Sequence, residues 1–275
     1  MRNSCSSVSS RRDPVTEPGP ESGRRSGPDS EESFAYPGTE LDLFRHANNW
    51  KRYFLAQMRP FIRGRVLEVG AGLGANTERA YSLGEQWVCL EPDPGMAEGL
   101  RRMLETGKLQ PDRCTVVEGT MDAVAAEAQF DTILYIDVLE HIEGDAAELV
   151  TAVARLKPGG HLLVLSPAHP WLYSPFDEEI GHFRRYTKKS LAALQPGGTT
   201  LVRLRYLDAA GILASAANRF LLKKAVVARR DIEVWDRLLV PMSRLIDPLT
   251  LYTLGKSVLA VWRKARQNAE HRPTV

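Results

Sequence analysis

The stretch Val66-Leu67-Glu68-Val69-Gly70-Ala71-Gly72-Leu73-Gly74-Ala75-Asn76-Thr77 decides the fold of this 275-residue chain. It predicts an apolar strand that runs into a glycine-rich turn, followed by a helix. Glycine lets the backbone turn sharply and approach a ligand where a Cβ would clash. The start of the helix adds unpaired N–H groups that face the same place. The sequence therefore predicts a ligand site at the carboxyl end of the first strand, at the switch point of a sheet.

Short apolar, β-branched runs alternate with helix-length segments beyond this loop, a pattern that indicates βαβ units and a parallel sheet. Two later runs also read as strands, with a long helical pattern between them, and an amphipathic pattern over 40–58 predicts a helix before the first strand. The predicted strands are RVLEV (65–69), QWVCLE (86–91), RCTVVEG (113–119), FDTILYID (130–137), GHLLVLSP (160–167), TTLVRLRYL (199–207) and KSVLAVWRK (256–264).

The chemistry of the glycine loop favours a cationic ligand. Its spacing is G-x-G-x-G, whereas a dinucleotide site prefers G-x-G-x-x-G. Glu68 stands two residues before Gly70 and would repel a pyrophosphate, but it suits an ammonium or sulfonium group. Glu91 ends the second strand, where a carboxylate can accept hydrogen bonds from both hydroxyls of a ribose. These features argue against an NAD-dependent oxidoreductase.

Four ordered pieces carry a family resemblance, and LKPGGHLLVLSP (156–167) follows them as a fifth strand with its preceding turn. They are LEVGAGLG (67–74), LEPDP (90–94), EGTMD (118–122) and FDTILYIDVLEHIEGD (130–145). The chain from about 50 to 206 resembles class I S-adenosylmethionine-dependent methyltransferases. The resemblance implies an α/β, Rossmann-like sheet of seven strands in the order 3-2-1-4-5-7-6, with the last strand antiparallel. A helical lid (34–60) would precede it, and a helical cap (208–255) would be inserted between the last two strands.

The resemblance also implies S-adenosyl-L-methionine as cofactor and suggests which residues bind it. Relatives usually carry Asp where this chain has Thr120, so either the threonine hydroxyl or Asp122 would take that contact. The methionine part would be held by Glu68, Gly70, Ala71 and Gly72, the ribose by Glu91 with Pro92 nearby, the adenine by Thr120 and Met121, and the methionine end also by Asp137 and Val138.

Two histidines are candidates for the base that a hydroxyl acceptor needs. His141 follows the fourth strand, beside the reactive end of the cofactor by analogy. His182 lies in SPAHPWLYSPFDEEIGHFRRYTKKSL (166–191), which resembles the D-x-x-x-G-H-x-R-R-Y-T stretch of one bacterial branch of the superfamily. This segment would be an acceptor clamp, or a loop that Asp177 and Glu178 fold by pairing with the arginines. The alternative for His141 is a residue that orders its own loop.

Composition limits the class of protein. The net charge of +2 gives no reason to expect a nucleic-acid partner, and three scattered cysteines fit a reducing cytoplasm and predict neither disulfides nor a metal site. No apolar run approaches the ~18 residues of a membrane span. Residues 1–33 hold nine Ser and no Leu, Ile or aromatic residue, so a disordered tail without a secretory signal is predicted.

These observations favour a methyltransferase acting on a small organic acceptor, with a hydroxyl or carboxyl oxygen as the methylated atom in a natural product or other secondary metabolite. Residues 201–275 carry 14 Lys/Arg and 6 Asp/Glu, and a basic amphipathic segment can lie on an anionic membrane. The same charge is more simply the solvated face of a cap over the acceptor pocket, but weak membrane-surface association and a lipid or glycolipid acceptor are one alternative. A cofactor-binding regulator without turnover is another.

Overall fold

A mixed seven-stranded sheet lies at the centre of the part of the chain that the computed structural model describes, residues 40–217, 220 and 228–266. Its order is β3-β2-β1-β4-β5-β7-β6; neighbouring strands among β1 to β5 are parallel, and β7 runs antiparallel to both β5 and β6. The predicted Rossmann-like α/β architecture is confirmed. The strands are β1 Arg65–Val69, β2 Gln86–Glu91, β3 Cys114–Glu118, β4 Phe130–Ile136, β5 Leu156–Pro167, β6 Thr199–Leu207 and β7 Ser257–Lys264.

Helices cover both faces of the sheet, and this explains why the central strands read as unbroken apolar runs. Residues 162–165 of β5 and 258–262 of β7 are fully buried, and two apolar clusters, one on each side, form the core. The α-helices are α1 Glu40–Phe44, α2 Asn48–Met58, α3 Thr77–Ala80, α4 Pro94–Glu105, α5 Asp145–Ala154, α6 Pro175–Glu179, α7 Lys188–Ala193, α8 Gly211–Ala217, α9 Arg229–Val234 and α10 Val240–Leu249.

The helix predicted over 40–58 is interrupted, because the chain turns between α1 and α2. The first turn of α2 receives its cap from a residue far along the chain: Asp236 accepts hydrogen bonds from the amides of Asn49 (3.1 Å) and Trp50 (2.8 Å). This carboxylate satisfies amides that a helix start leaves unpaired. The predicted tail (1–33) and the first residues of the predicted lid lie outside the described residues.

A helical cap stands between β6 and β7, as predicted, with a π-helical segment, Trp235–Leu239, joining α9 to α10. Two buried carboxylates fix it to the sheet. Asp208 accepts hydrogen bonds from the Trp235 indole (2.7 Å) and the Ser243 hydroxyl (2.5 Å). Asp247 accepts from the Tyr53 hydroxyl (2.6 Å), so the cap and α2 form one wall above the carboxyl ends of the strands.

No described helix combines the length and the apolar character that crossing a membrane would require.

Candidate active site

A cavity of about 950 Å³ opens at the carboxyl ends of β1, β2 and β4. Parallel strands bring their following loops to one edge of a sheet, so residues far apart in sequence meet there. Most of the predicted cofactor and base residues line this cavity, whereas Glu68 and Asp122 do not: those that line it are Gly70, Ala71, Gly72, Glu91, Pro92, Thr120, Met121, Asp137, Val138, His141 and His182.

The glycine loop has the strained backbone that its sequence predicts. Gly70, Gly72 and Gly74 all have positive φ, between 57° and 72°, a region that side chains with a Cβ rarely adopt. A Cβ on Gly70 would stand 2.5 Å from the Val138 side chain, so glycine is what allows the ends of β1 and β4 to approach. The loop therefore lies against the cavity floor with its backbone exposed to a ligand.

Glu91 ends β2 with its carboxylate fixed toward the cavity. One oxygen accepts from the Gly72 amide (2.6 Å) and the other from the Asp93 amide (3.0 Å). Burial raises the pKa of Glu91, although these two amides oppose the shift. Each carboxylate oxygen keeps acceptor capacity for a further donor, so the arrangement fits a ligand with two adjacent hydroxyls.

Glu68 points away from the cavity, and the structure gives no support for its predicted contact with the methionine part of a cofactor. Its carboxylate accepts from the Thr77 hydroxyl (2.7 Å) and the Trp87 indole (2.9 Å) beneath the loop. Burial raises the pKa of Glu68 to about 7. Its observed contacts join β1 to α3 and β2, so its position is structural.

The side of the cavity next to β3 is apolar. Met121 is buried, Thr120 is exposed to the cavity, and Met96 of α4 joins them, a residue that the sequence analysis did not single out. Asp122 does not line the cavity. Of the two residues that could replace the family's aspartate, only Thr120 lies where it could contact a base.

Asp137 follows β4 with a positive φ of 54°, and its exposed surface lines the cavity. Confinement raises its pKa to about 6, and the nearby cations His182, Lys256 and Lys51 limit the rise. Both lysines line the cavity, and burial lowers the pKa of Lys51 to about 8. Neither lysine was predicted, because nothing local marks a lysine on an amphipathic helix or at a strand start as functional.

Asp177 is fully buried and organises the segment 166–191. It accepts a 2.8 Å hydrogen bond from Nδ1 of His182 and two from Arg185, at 2.8 and 3.0 Å. The Ser174 amide and hydroxyl also donate to it. Burial alone would raise the pKa of Asp177, but these cations lower it to about 2. The pairing with Arg185 that was expected of a folded loop is present, and the same carboxylate also orients His182.

The far nitrogen of His182 faces Glu140, with 3.7 Å between Nε2 and Oε1. Both Glu140 oxygens are buried and have no hydrogen-bond partner of good geometry among the described residues; burial raises the pKa of Glu140, and the charge of His182 opposes the rise. Burial would lower the pKa of His182, but the hydrogen bond to Asp177 and the charge of Glu140 outweigh it and raise the pKa. His182 therefore lies between two carboxylates that favour its cationic form.

His141 packs edge-on against His182, with ring centroids 4.5 Å apart. Burial lowers the pKa of His141 to about 4, so this imidazole is neutral at pH 7. One ligand atom each of Glu140, His141 and His182 lies within 4.8 Å of the others, a spacing that could admit a cation. The expectation of no metal stays a prediction.

Only some of the other residues in the predicted acceptor clamp line the cavity. Phe176 and Arg185 line the cavity, whereas His169, Trp171 and Tyr173 do not. His169 instead has its Nε2 3.0 Å from the Gly255 carbonyl oxygen.

A family model described as a methyltransferase domain matches residues 67–162. This part of the chain therefore matches a methyltransferase domain, and the strand order 3-2-1-4-5-7-6 agrees with the class I S-adenosylmethionine-dependent fold.

Relatives with known names are similar over parts of the chain. The ubiquinone biosynthesis O-methyltransferase of Bradyrhizobium sp. (strain ORS 278) is 33% identical over 108 residues, 39% of this chain and 41% of that protein. The demethylmenaquinone methyltransferase of Tropheryma whipplei (strain Twist) is 29% identical over 162 residues, 58% of this chain and 65% of that protein. The chain thus spans about two fifths of the length of the O-methyltransferase it matches.

A solved structure extends the likeness of fold. The phosphoethanolamine N-methyltransferase 2 of Haemonchus contortus, in complex with S-adenosyl-L-methionine, superposes with a TM-score of 0.55 at 15% identity. The superposition covers 83% of this chain and 58% of that one. At this identity the likeness concerns the fold alone.

Proposed function

We propose that this chain transfers the methyl group of S-adenosyl-L-methionine to an oxygen of a small organic acceptor. One observation carries the proposal: a single cavity joins the glycine loop and Glu91 on one side to the Asp177–His182 pair on the other. Two relatives named for ubiquinone and menaquinone metabolism support a hydroxylated ring or quinone-type molecule as the acceptor class.

The residues of the cavity floor fit the cofactor. Gly70 and Gly72, both with positive φ, line the cavity together with Ala71, and the methionine part would lie there. Glu91, held by two amides, would accept from the ribose hydroxyls, with Pro92 beside it. The adenine would lie against Thr120 and Met121, and Asp137 with Val138 would border the methionine end. When bound, the cofactor supplies an electrophilic methyl on a sulfonium.

The protein contributes position and a proton acceptor. Placing an acceptor oxygen in line with the methyl can supply ~7–11 kcal/mol of the barrier. Asp177 accepts from Nδ1 of His182, which fixes the ring, so Nε2, the nitrogen that faces Glu140, is the one that would take the acceptor proton. Because two carboxylates raise the pKa of His182, the neutral form that can act as base becomes abundant only above its ordinary pKa of 6.5. Turnover should therefore rise with pH through a midpoint above 6.5.

Lys51 and Lys256 extend the acceptor side with positive charge. Both line the cavity, and Lys256 stands 3.8 Å from Asp208 and 3.6 Å from the Trp235 ring centroid. An acceptor bearing a carboxylate would find two ammonium groups there. This feature supports an acidic or neutral acceptor over a cationic one.

The base assignment is tested by single-turnover transfer of labelled methyl, run beside calorimetric titration with S-adenosylhomocysteine. His182→Ala should lower turnover ~10²–10⁴-fold with near-normal cofactor affinity. His141→Ala should impair both, since its loop continues from Val138 at the methionine end. His46→Ala is the matched control, because that imidazole is exposed and does not line the cavity. Wild-type turnover of His182→Ala across pH 6–9 would remove His182 as the base.

The same titration separates the alternatives. A regulator would bind S-adenosylhomocysteine but transfer no methyl to any hydroxylated or carboxylic acceptor supplied, nor to any molecule in a small-molecule extract of the source cells. Binding of NAD in preference to S-adenosylhomocysteine would refute the proposal. Mass spectrometry of the product distinguishes a methyl ether from a base-labile methyl ester, and so a hydroxyl from a carboxyl acceptor.

A further inference from the structure

The outward face of the helical cap carries an apolar stripe. It consists of Val234, Leu238, Met242, Leu245 and Leu249, which are 46%, 59%, 50%, 73% and 83% exposed. Successive members are three or four residues apart, the spacing that places side chains along one helix face. Soluble proteins rarely leave so many neighbouring large apolar side chains in water without a partner surface.

The opposite face of the same helices packs against the protein interior. Trp235, Val240, Ser243 and Asp247 are buried, and their contacts hold the cap to the sheet and to α2. The apolar stripe is therefore the face of these helices that does not pack against the protein interior. Leu213, Leu251 and Leu254, also at least half exposed, add apolar side chains elsewhere on the cap.

A basic row accompanies the stripe. Arg230, Arg237 and Arg244 are all exposed and stand seven residues apart, so they share one flank of the helical segment. Each acid of this segment has a partner within the protein, although only Asp236 and Asp247 are buried. Glu233 pairs with Arg229, Asp231 accepts from the Ala228 amide, and Asp236 and Asp247 accept from buried donors.

We propose that the apolar stripe and its arginine row dock the protein in the plane of an anionic lipid bilayer. Apolar side chains beside a row of cations match the headgroup boundary, where the former enter the acyl region and the latter meet lipid phosphate. The positive charge of the arginine row complements the negative charge of lipid phosphate, so the proposed partner is an anionic bilayer. Docking by this face needs no membrane-spanning segment.

The docking surface adjoins the cavity. Val234 belongs to the stripe and also lines the cavity. Arg230, from the arginine row, and the buried Trp235 line the cavity as well. An amphiphilic acceptor with an apolar tail could therefore enter from the bilayer without crossing water. This consequence for the acceptor class rests on the proposed function, whereas bilayer docking does not.

Flotation of the purified full chain with vesicles tests the docking. Vesicles of phosphatidylcholine with phosphatidylglycerol should capture the protein, and phosphatidylcholine alone should capture it at least tenfold less. High salt should weaken capture, because screening acts on the arginine row. The double substitution Leu245→Ser with Leu249→Ser should reduce partitioning at least tenfold, and Arg237→Gln with Arg244→Gln should remove the preference for anionic lipid.

Controls keep the outcome decisive. Val150→Ser changes an exposed valine on α5, outside the cap, and should leave capture unchanged. None of the substituted residues lines the cavity, so S-adenosylhomocysteine affinity should be unaltered and reports folding. Capture of wild type no better than of the leucine variant would overturn the proposal. So would a wild-type dimer in light scattering that the leucine variant dissociates, since the stripe would then bind a second copy. A failed methyl-transfer assay with intact capture would count against the proposed function alone.

Discussion

Replacing Asp177 by asparagine tests whether one carboxylate both builds the active-site segment and sets the proton affinity of His182. Five donated hydrogen bonds converge on its two oxygens, and asparagine keeps one oxygen while turning the other into a donor. Arg185, only 11% exposed, would lose its counter-ion. Breaking a buried ion pair in this way costs about 3–5 kcal/mol.

Two measurements follow from that cost. Thermal unfolding should shift down by ~6–20 °C, since each kcal/mol corresponds to ~2–4 °C in a domain of this size. The pH profile of turnover should move to lower pH, because burial lowers the pKa of His182 and the hydrogen bond to Asp177 is the foremost opposing cause. Turnover at the new optimum should also fall, because the ring orientation is no longer fixed.

A second variant and a control test the role of His182 even if Asp177→Asn folds poorly. Glu140→Gln removes only a nearby charge, so the pH midpoint should fall while the melting temperature changes less. Glu178→Gln alters an exposed carboxylate on the same short helix and should change stability by less than ~0.5 kcal/mol. An unchanged pH midpoint in both Asp177→Asn and Glu140→Gln would refute the assignment of His182 as a base tuned by two carboxylates.

Three further predictions concern the cofactor, the core and the tail. Glu91→Ala should weaken S-adenosylhomocysteine binding in calorimetry by ~1.5–3 kcal/mol per lost ribose bond, whereas Glu118→Ala on the neighbouring strand should not. The pKa of Glu68 is near 4.5 in the unfolded chain and about 7 in the folded protein. The free energy of unfolding of the wild type should therefore fall by up to about 3 kcal/mol as the pH rises from 4.5 to 7. Denaturant unfolding of Glu68→Gln should lack this loss, and equal pH slopes would contradict the shift. Deleting residues 1–33 should leave the melting temperature nearly unchanged, and a fall of several degrees would show that the tail docks.

The strands and the glycine loop could be predicted from the sequence because their signals are local. The apolar residues 162–165 within the run 160–167 indicate that both faces of this strand are covered, and glycine at 70, 72 and 74 indicates positive φ. Glu91 could also be placed, since the end of a strand fixes where a side chain points. The cap between β6 and β7 followed from the resemblance and from helical periodicity.

Individual partners could not be predicted, because periodicity reports which face is buried but not what it contacts. Glu68 is one case: its predicted contact with the methionine part stays a prediction, while its hydrogen bonds from Thr77 and Trp87 could not be read from the sequence. Asp236 caps a helix that lies 187 residues earlier in the chain. No local pattern can encode such a pairing.

The sequence by itself determined a parallel-sheet fold with a ligand site at the glycine loop, and most of the site residues that it named line the cavity. Only the tertiary structure decided that His182 lies between Asp177 and Glu140, and that Lys51 and Lys256 reach the same cavity. The physical reason is that local backbone preference and burial are short-range properties of the chain. The electrostatics of a buried site instead depend on distances between loops that come together only when the sheet is assembled.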